Sequence, residues 1–405
     1  MTPPTDSDTQ RIPVRYWIWL FGAAVSLLGD LTITFAIGWS ASKHGGSVAG
    51  LILLLAAAPR AALLLVGGAV GDRFGAPRVL LISCTAMFVL TAALVPATLA
   101  IGEPIGLLIC IALVVGVIDA FFLPSSRAMP RLLVPPQQVP RALASFQVTG
   151  VVFAVTGTAV GGILVTWSGL TAAAAFDAIT FAIMIVVLLV LRTTTAPAPP
   201  NQAGIFKSIA EGLRIAFGKP LTRALLITMT LAAGLLMPMD SLVLPLLARH
   251  HEWDAKTAGL VIATRSLGVG VISVRILIRG AFQRPGVVAM LGLFGASLGY
   301  IGLSQVDSIP LTIAAAIVSG IGVGAFTGHV LPLLMNSVDR GYQSRLQSVI
   351  VLCQSLALVV MNPLLGWISD QSVGITGVCF GIGVAVALIG ATALTRRVIR
   401  TATVS

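Results

Sequence analysis

Charge is scarce in this chain. Asp, Glu, Lys and Arg make up 10% of its 405 residues, against roughly 25% in soluble globular domains. A water-soluble globule with a polar surface is excluded. Cysteine is scarcer still: Cys84, Cys110, Cys353 and Cys379 stand singly inside apolar runs, a spacing that suits neither disulfides nor a metal and makes them small hydrophobes. The sequence has no Gly-x-x-x-x-Gly-Lys-Ser/Thr loop, so ATP is not expected as the direct energy source. It has no His/Glu zinc constellation and no nucleophile elbow, which argues against a membrane-embedded enzyme.

Apolar residues are abundant, at 57% of the chain. With about 20 apolar residues needed per span, runs broken by Gly, Pro or charge give twelve candidates. They lie at roughly 15–40, 47–70, 79–101, 105–126, 142–167, 170–192, 222–248, 257–279, 286–306, 309–333, 344–369 and 373–395. The fold class expected is an all-α polytopic membrane protein with twelve transmembrane helices. The first run is too long, and too well followed by others, for a cleaved signal, so it reads as a retained helix.

The net charge of +11 is not spread evenly. One set of loops and flanks holds twenty Lys and Arg, from Arg11 and Arg15 to Arg396, Arg397 and Arg400; the opposite set holds only Lys43, Arg249 and Lys256. By the positive-inside rule both termini are expected in the cytoplasm, with the chain in a plasma membrane. The positive charge then reflects topology, and nucleic acid is not an expected partner.

The one sizeable break, Thr193 to Lys219, carries the polar, Pro-rich TTTAPAPPNQAG followed by IFKSIAEGLRIAFGKP. Phe206, Ile209, Leu213 and Phe217 share a helical stripe with Lys207, Arg214 and Lys219 off it, predicting an amphipathic helix on the membrane surface. The chain thus divides into a six-helix bundle over 1–192, a linker over 193–221 and a second bundle over 222–405. The halves resemble each other: a shift of about 208 to 210 sets GDRFGAPRVL beside RGAFQRPGVV and Asp30 over Asp240. Two such repeats suit a carrier that exposes a central site to each side in turn.

At the end of the second predicted helix stands Gly68-Ala-Val-Gly71-Asp72-Arg73-Phe-Gly75-Ala-Pro-Arg78. Gly68 is placed for close approach of a neighbouring helix, and Asp72 sits at a helix end where a cation or a helix N-terminus could hold it. The pattern Gly-x-x-x-Asp-Arg-x-Gly-x-x-Arg between helices two and three closely resembles the signature of the major facilitator superfamily. The resemblance implies a conformational latch at Gly68, Asp72, Arg73, Gly75 and Arg78, closed in the outward-open state. In the second half Gly280 is aligned with Asp72, so a latch there has lost its acid. Ser26-Leu-Leu-Gly29-Asp30, Gly116 to Pro124 with Arg127 and Pro130, Phe176-Asp177-Ala-Ile-Thr-Phe181 and Glu211-Gly212-Leu213-Arg214 look like the drug, macrolide and siderophore exporter branch.

In the fifth helix Gly157-Thr158-Ala-Val-Gly161-Gly162 resembles the family's antiporter motif, with Thr158 where proline is usual; Pro363 and Gly366 are its counterparts in the second half. The glycines permit a close helix crossing whatever the direction of transport.

Acids and bases at membrane depth are the candidates for the substrate and proton site. Asp30 lies 15 residues past Arg15, about 22 Å along a helix, and Asp240 is at a similar depth between Pro238 and Pro245. A carboxylate there costs at least about 2.5 to 3.5 kcal/mol on insertion scales, so it should line a cavity, be paired or be protonated. Arg60 needs a counter-ion, and Asp30 and Asp119 are the reachable ones; pairing with Asp30 would keep that acid ionised. Arg265 and His329 are further cavity candidates, and Asp177 reads as a packing residue.

These features point to a secondary transporter that exports a lipophilic small molecule in exchange for protons, with the proton gradient as energy source, no cofactor and no metal. It is expected to act as a monomer in the lipid bilayer. Two alternatives stay open: a symporter importing a small anionic nutrient held by Arg60 and Arg265, and a lipid flippase or non-transporting sensor.

Overall fold

The structure is a computed structural model that describes residues 12–191, 213–214, 217–280, 282–339 and 342–401. The first half contains α1 (Val14–Ser42), α2 (Gly46–Phe74), α3 (Ala76–Ile101) and α4 (Ile105–Leu133). A helical trace over Val139–Leu191 follows, broken at Ser168 (φ −149°) and Gly169 (φ 61°), which divides it into α5 (139–167) and α6 (170–191). The second half contains α7 (Pro220–His250), α8 (Ala255–Arg279), α9 (Pro285–Gln305), α10 (Ile309–Asn336), α11 (Gln343–Ser369) and α12 (Gly374–Thr395). Splitting the longest of the eleven apolar helical stretches at its kink gives the twelve spans expected. Most of the predicted amphipathic helix of the linker lies outside the described residues.

Helix α4 continues unbroken through Pro124 and Pro130 and ends seven residues past its apolar run. Neighbouring helices can satisfy the backbone groups that such prolines free. Helix α7 departs further from regularity: it is α-helical to Leu236, π-helical over Met239–Val243 and α-helical again over Leu244–His250. Pro238 and Pro245 flank the π-segment, and π-bulges of this kind are frequent at functional sites.

Short loops make successive helices antiparallel, which gives the bundle an arginine-rich end and an arginine-poor end. At the arginine-rich end Gly75 closes α2 at φ 88°, a conformation disfavoured for any residue with a Cβ. In the second half Gly280 (φ 73°) ends α8 in the same way. Gly280 is therefore the counterpart of Gly75 and not of Asp72, because the second loop has gained residues between its glycine and Pro285. Three residues before the capping glycine stand Asp72 in one half and Leu277 in the other, so the acid is indeed absent there.

The halves meet along helix crossings that glycine makes possible. A Cβ on Gly50 of α2 would lie 2.5 Å from the Asn362 carbonyl of α11, and one on Gly162 of α5 would lie 2.7 Å from the Ala255 carbonyl of α8. Gly366 packs on Gly46 and Gly50 in one crossing, as Gly162 packs on Ala255 and Gly259 in the other. The repeat offset of about 208 to 210 carries Gly46 to Ala255 and Gly50 to Gly259, so the two crossings are one contact made twice. Helices α1 and α7 touch where Gly38 meets the Ser241 carbonyl.

Two charged side chains from the second half complete the closure at the arginine-poor end. The Arg249 guanidinium lies over the Trp39 ring, 3.9 Å from its centroid, and donates to the Trp39 carbonyl and Ser42 Oγ, both at 3.4 Å. Asp370 accepts the Gly46 and Ser47 backbone N–H groups on its two oxygens, each at 2.7 Å. A cation thus sits at the C-terminus of α1 and an anion at the N-terminus of α2, each matching the sign of the helix dipole it faces.

Candidate functional site

The polar side chains at membrane depth gather in two groups, one in each half. In the second half Asp240 projects from the π-segment of α7, and its Oδ2 accepts a hydrogen bond from Arg265 Nη1 at 2.6 Å. Arg265 Nη2 also donates to the Tyr300 hydroxyl at 3.3 Å and to the Leu236 carbonyl at 3.4 Å. The Asp240 side chain is 37% exposed and that of Arg265 only 6%, so the guanidinium is the more deeply buried partner. Arg265, expected to line the cavity, is instead buried against Asp240, Tyr300 and the Leu236 carbonyl. Tyr300 was not singled out in the sequence; one of three tyrosines, it sits in an apolar stretch of α9 with no charge nearby in sequence.

In the first half Asp30 (α1), Asp119 (α4) and Asp177 (α6) come within electrostatic range of one another. Arg60 of α2 pairs with Asp119, its Nη1 3.8 Å from Oδ2. This settles which acid serves as counter-ion. The repeat places Ala56 where the second half has Arg265, since Gly116 packs on the Ala56 carbonyl as Gly320 packs on that of Arg265; among the described residues no cation bridges Asp30. Asp177 is fully buried and both its carboxylate oxygens lack a hydrogen-bond partner. A side chain on Gly29 would run into Asp177 and Thr180, so this glycine lets α1 approach α6 at the level of the acids. Asp177 thus lies buried at the α1–α6 contact.

His329 is also placed differently from the expectation. It is 1% exposed, its Nδ1 contacts the Ala325 carbonyl at 2.8 Å, and its Nε2 accepts the Phe282 backbone N–H at 3.5 Å. With Nδ1 as donor and Nε2 as acceptor the ring is a neutral tautomer that fixes the loop between α8 and α9. The Phe282 ring in turn lies 3.5 Å beneath the Arg275 guanidinium. His329 belongs to this loop and not to the cavity.

The segment expected to act as a latch lies at the arginine-rich end and makes no ion pair there among the described residues. Asp72, Arg73 and Phe74 are exposed, and Arg73 lies over the Phe74 ring at 5.4 Å. Nothing would lie within 4 Å of a Cβ on Gly68. The close approach expected there is made by its neighbour Gly67, which packs on Ala120 of α4. In the antiporter-like motif Gly157 faces Leu31 and Gly161 faces Phe35 of α1, whereas Gly162 faces α8 across the halves. The Thr158 hydroxyl turns back onto the Ala154 carbonyl at 3.2 Å.

A shallow apolar groove of about 410 Å³, lined by Phe88, Ile179, Ile183 and Val186 among others, lies on the outer surface away from these acids. Its exposed side chains suit lipid contact.

Two sets of six helices packed along glycine crossings, with charged side chains at membrane depth, have the architecture of a helical membrane transporter. The chain belongs to the Major Facilitator Superfamily, whose sequence model matches residues 19–362; this is a transport family, not a family of enzymes. A curated relative, the multidrug efflux pump Tap of Mycolicibacterium fortuitum, is 24% identical over 340 residues, covering 81% of each chain. Among solved structures, a POT family transporter in complex with 5-aminolevulinic acid superposes with a TM-score of 0.76 at 14% identity, covering 95% of this chain and 96% of the other. A bacterial homologue of the human lysosomal transporter Spinster, in an inward-facing and unoccupied conformation, gives 0.71 at 18% identity, covering 98% and 99%. A point mutant of the nucleoside transporter NupG gives 0.72 at 12% identity, covering 95% and 99%. These structural likenesses establish the fold.

Proposed function

We propose that this transporter exports a lipophilic small molecule, of the drug, antibiotic or natural-product kind, across the plasma membrane in exchange for protons. Its arginine-rich end, with both termini, faces the cytoplasm, and the closed arginine-poor end faces outward, so the conformation described is open to the cytoplasm. The two bundles rock about the glycine crossings to expose the central site alternately, and Asp72 closes on the opposite half when the cytoplasmic end shuts.

The observation that carries this reading is the state of the acids. Asp30 stands at membrane depth without a cation bridging it, because Arg60 is engaged by Asp119. An acid so placed can exchange a proton for a cationic or polar substrate group, since burial favours its neutral form and a nearby cation its ionised one. The similarity to a multidrug efflux pump supports export. Uptake of a small anion, the alternative reading, needs free cations, and both Arg60 and Arg265 face carboxylates at 3.8 and 2.6 Å.

The test uses inside-out vesicles carrying wild type or Asp30→Asn, preloaded with a pH gradient and challenged with lipophilic cations, macrolides and siderophore-like acids. Dissipation of the gradient by a compound with wild type alone is the expected result and gives the substrate class. Silence across the panel from folded, inserted protein would overturn the reading and turn attention to uptake and phospholipid translocation.

A further inference from the structure

Asp177 of α6 is a buried titratable group that the site as described leaves without a task. The chain keeps a carboxyl group 0% exposed at membrane depth, with neither oxygen accepting a hydrogen bond. The Thr180 hydroxyl beside it donates to the Asp177 backbone carbonyl at 2.8 Å and, with a single proton, cannot serve the carboxyl group at the same time. An ionised carboxylate in such surroundings lacks both solvent and a counter-charge, whereas the neutral acid carries no charge to solvate.

The groups that act on it electrostatically are acids, and the nearby cations are turned elsewhere. Helix α1 brings Asp30, next to the Gly29 that touches Asp177; α4 brings Asp119, and with it Arg127; α3 brings the Cys84 thiol, which is in electrostatic reach of Asp30. The Arg60 guanidinium of α2 is directed to Asp119. Helix α5 carries only Arg141, at its opposite end, and α6 no other charged side chain. Asp30, by contrast, is partly exposed and lies within electrostatic range of Asp177.

We propose that Asp177 is a second protonation site of the transporter, neutral in the conformation described and exchanging its proton with the cavity through the carboxylate of Asp30. The transfer is a simple one: the Asp177 O–H proton passes to an ionised Asp30, leaving Asp177 ionised and Asp30 neutral, and the reverse reloads it. The idea rests on the proton-coupled reading above for its use in transport, but its test does not.

The experiment is infrared difference spectroscopy of the purified full-length protein in liposomes, titrated across neutral pH, with wild type, Asp177→Asn and Asp30→Asn. Wild type is expected to show a protonated-carboxyl C=O band at neutral pH that Asp177→Asn lacks. Asp30→Asn should keep that band but slow its hydrogen–deuterium exchange on the order of a hundredfold, the lower range for losing a positioned proton-transfer group. Identical carboxyl bands in wild type and Asp177→Asn would overturn the protonation site, and unchanged exchange in Asp30→Asn would overturn the relay. Should Asp177→Asn fail to fold, Asp177→Ser gives the same comparison. If the vesicle panel is silent while the band is lost in Asp177→Asn, the export reading fails and the protonation site stands.

Discussion

Removing the Asp370 carboxylate tests how this transporter holds its arginine-poor end shut. In the structure one carboxylate from α11 receives two backbone N–H groups at the start of α2, both at 2.7 Å, and α2 has no side-chain cap of its own. Losing an N-cap acceptor costs typically about 1 kcal/mol, with up to about 2 for the best cases, and the helix dipole contributes about 0.3 to 1 where exposed. Asp370 is itself exposed, so solvent screening keeps the total near 1 to 2 kcal/mol. That moves a two-state equilibrium by about 5- to 30-fold. Asp370→Ala should therefore shift the population away from the conformation described, and Asp370→Asn, whose amide oxygen still accepts, should shift it less. Fluorescence energy transfer between dyes on Arg131→Cys and Arg284→Cys, with Cys110 replaced by Ser, reads the separation at the opposite end, which should shorten. Burial raises the Asp370 pKa, but the hydrogen bonds from Ser47 and Gly46 outweigh it and hold the group below the usual carboxylate range. The bond is then fully present above the unperturbed value of about 3.9 and is lost only as pH falls through the lowered one. The contribution should be flat from about pH 5 to 8. An unchanged separation in a normally folded Asp370→Ala would refute the reasoning and leave the closure to the glycine crossings.

Further predictions follow the same logic. Asp240→Ala leaves the Arg265 guanidinium buried without its anion, and should lower the thermal unfolding midpoint more than the double variant Asp240→Ala/Arg265→Leu, which removes both charges. Breaking a buried pair costs about 3 to 5 kcal/mol, reduced here because Asp240 is 37% exposed; a double variant no more stable than the single would show that the pair is solvated. A Cβ on Gly259 would lie 2.7 Å from the Thr158 carbonyl, so Gly259→Val should wedge α8 from α5 at a cost of about 1 to 3 kcal/mol. Labels across the arginine-poor end should report a wider gap, and an unaltered gap would mean that the crossing is looser than the backbone geometry implies.

Much of the architecture was legible in the residue order, for a definite reason. In lipid every backbone polar group must be satisfied within its own segment, so apolar length alone identifies helices. The same residues gave the repeat, the turn at Gly75 and the acids Asp30 and Asp240 as those that needed explaining. Legibility stopped where partners are remote in sequence. Arg60 had two reachable acids, and only packing brings Asp119 to it. Asp370 and Gly46 are 324 residues apart, and no local pattern joins a helix end to an acid so distant. The burial of Asp177 where α1 presses on α6 through Gly29 is likewise a fact of packing that its apolar sequence neighbours do not show. His329 read as a cavity residue from its depth, and the rotation of α10 turned it to the loop. The sequence by itself determined the spans, their alternation and the family. Tertiary structure decided which charges neutralise one another and which remain free to take up a proton, because that depends on angstrom-scale distances between helices that sequence spacing does not encode.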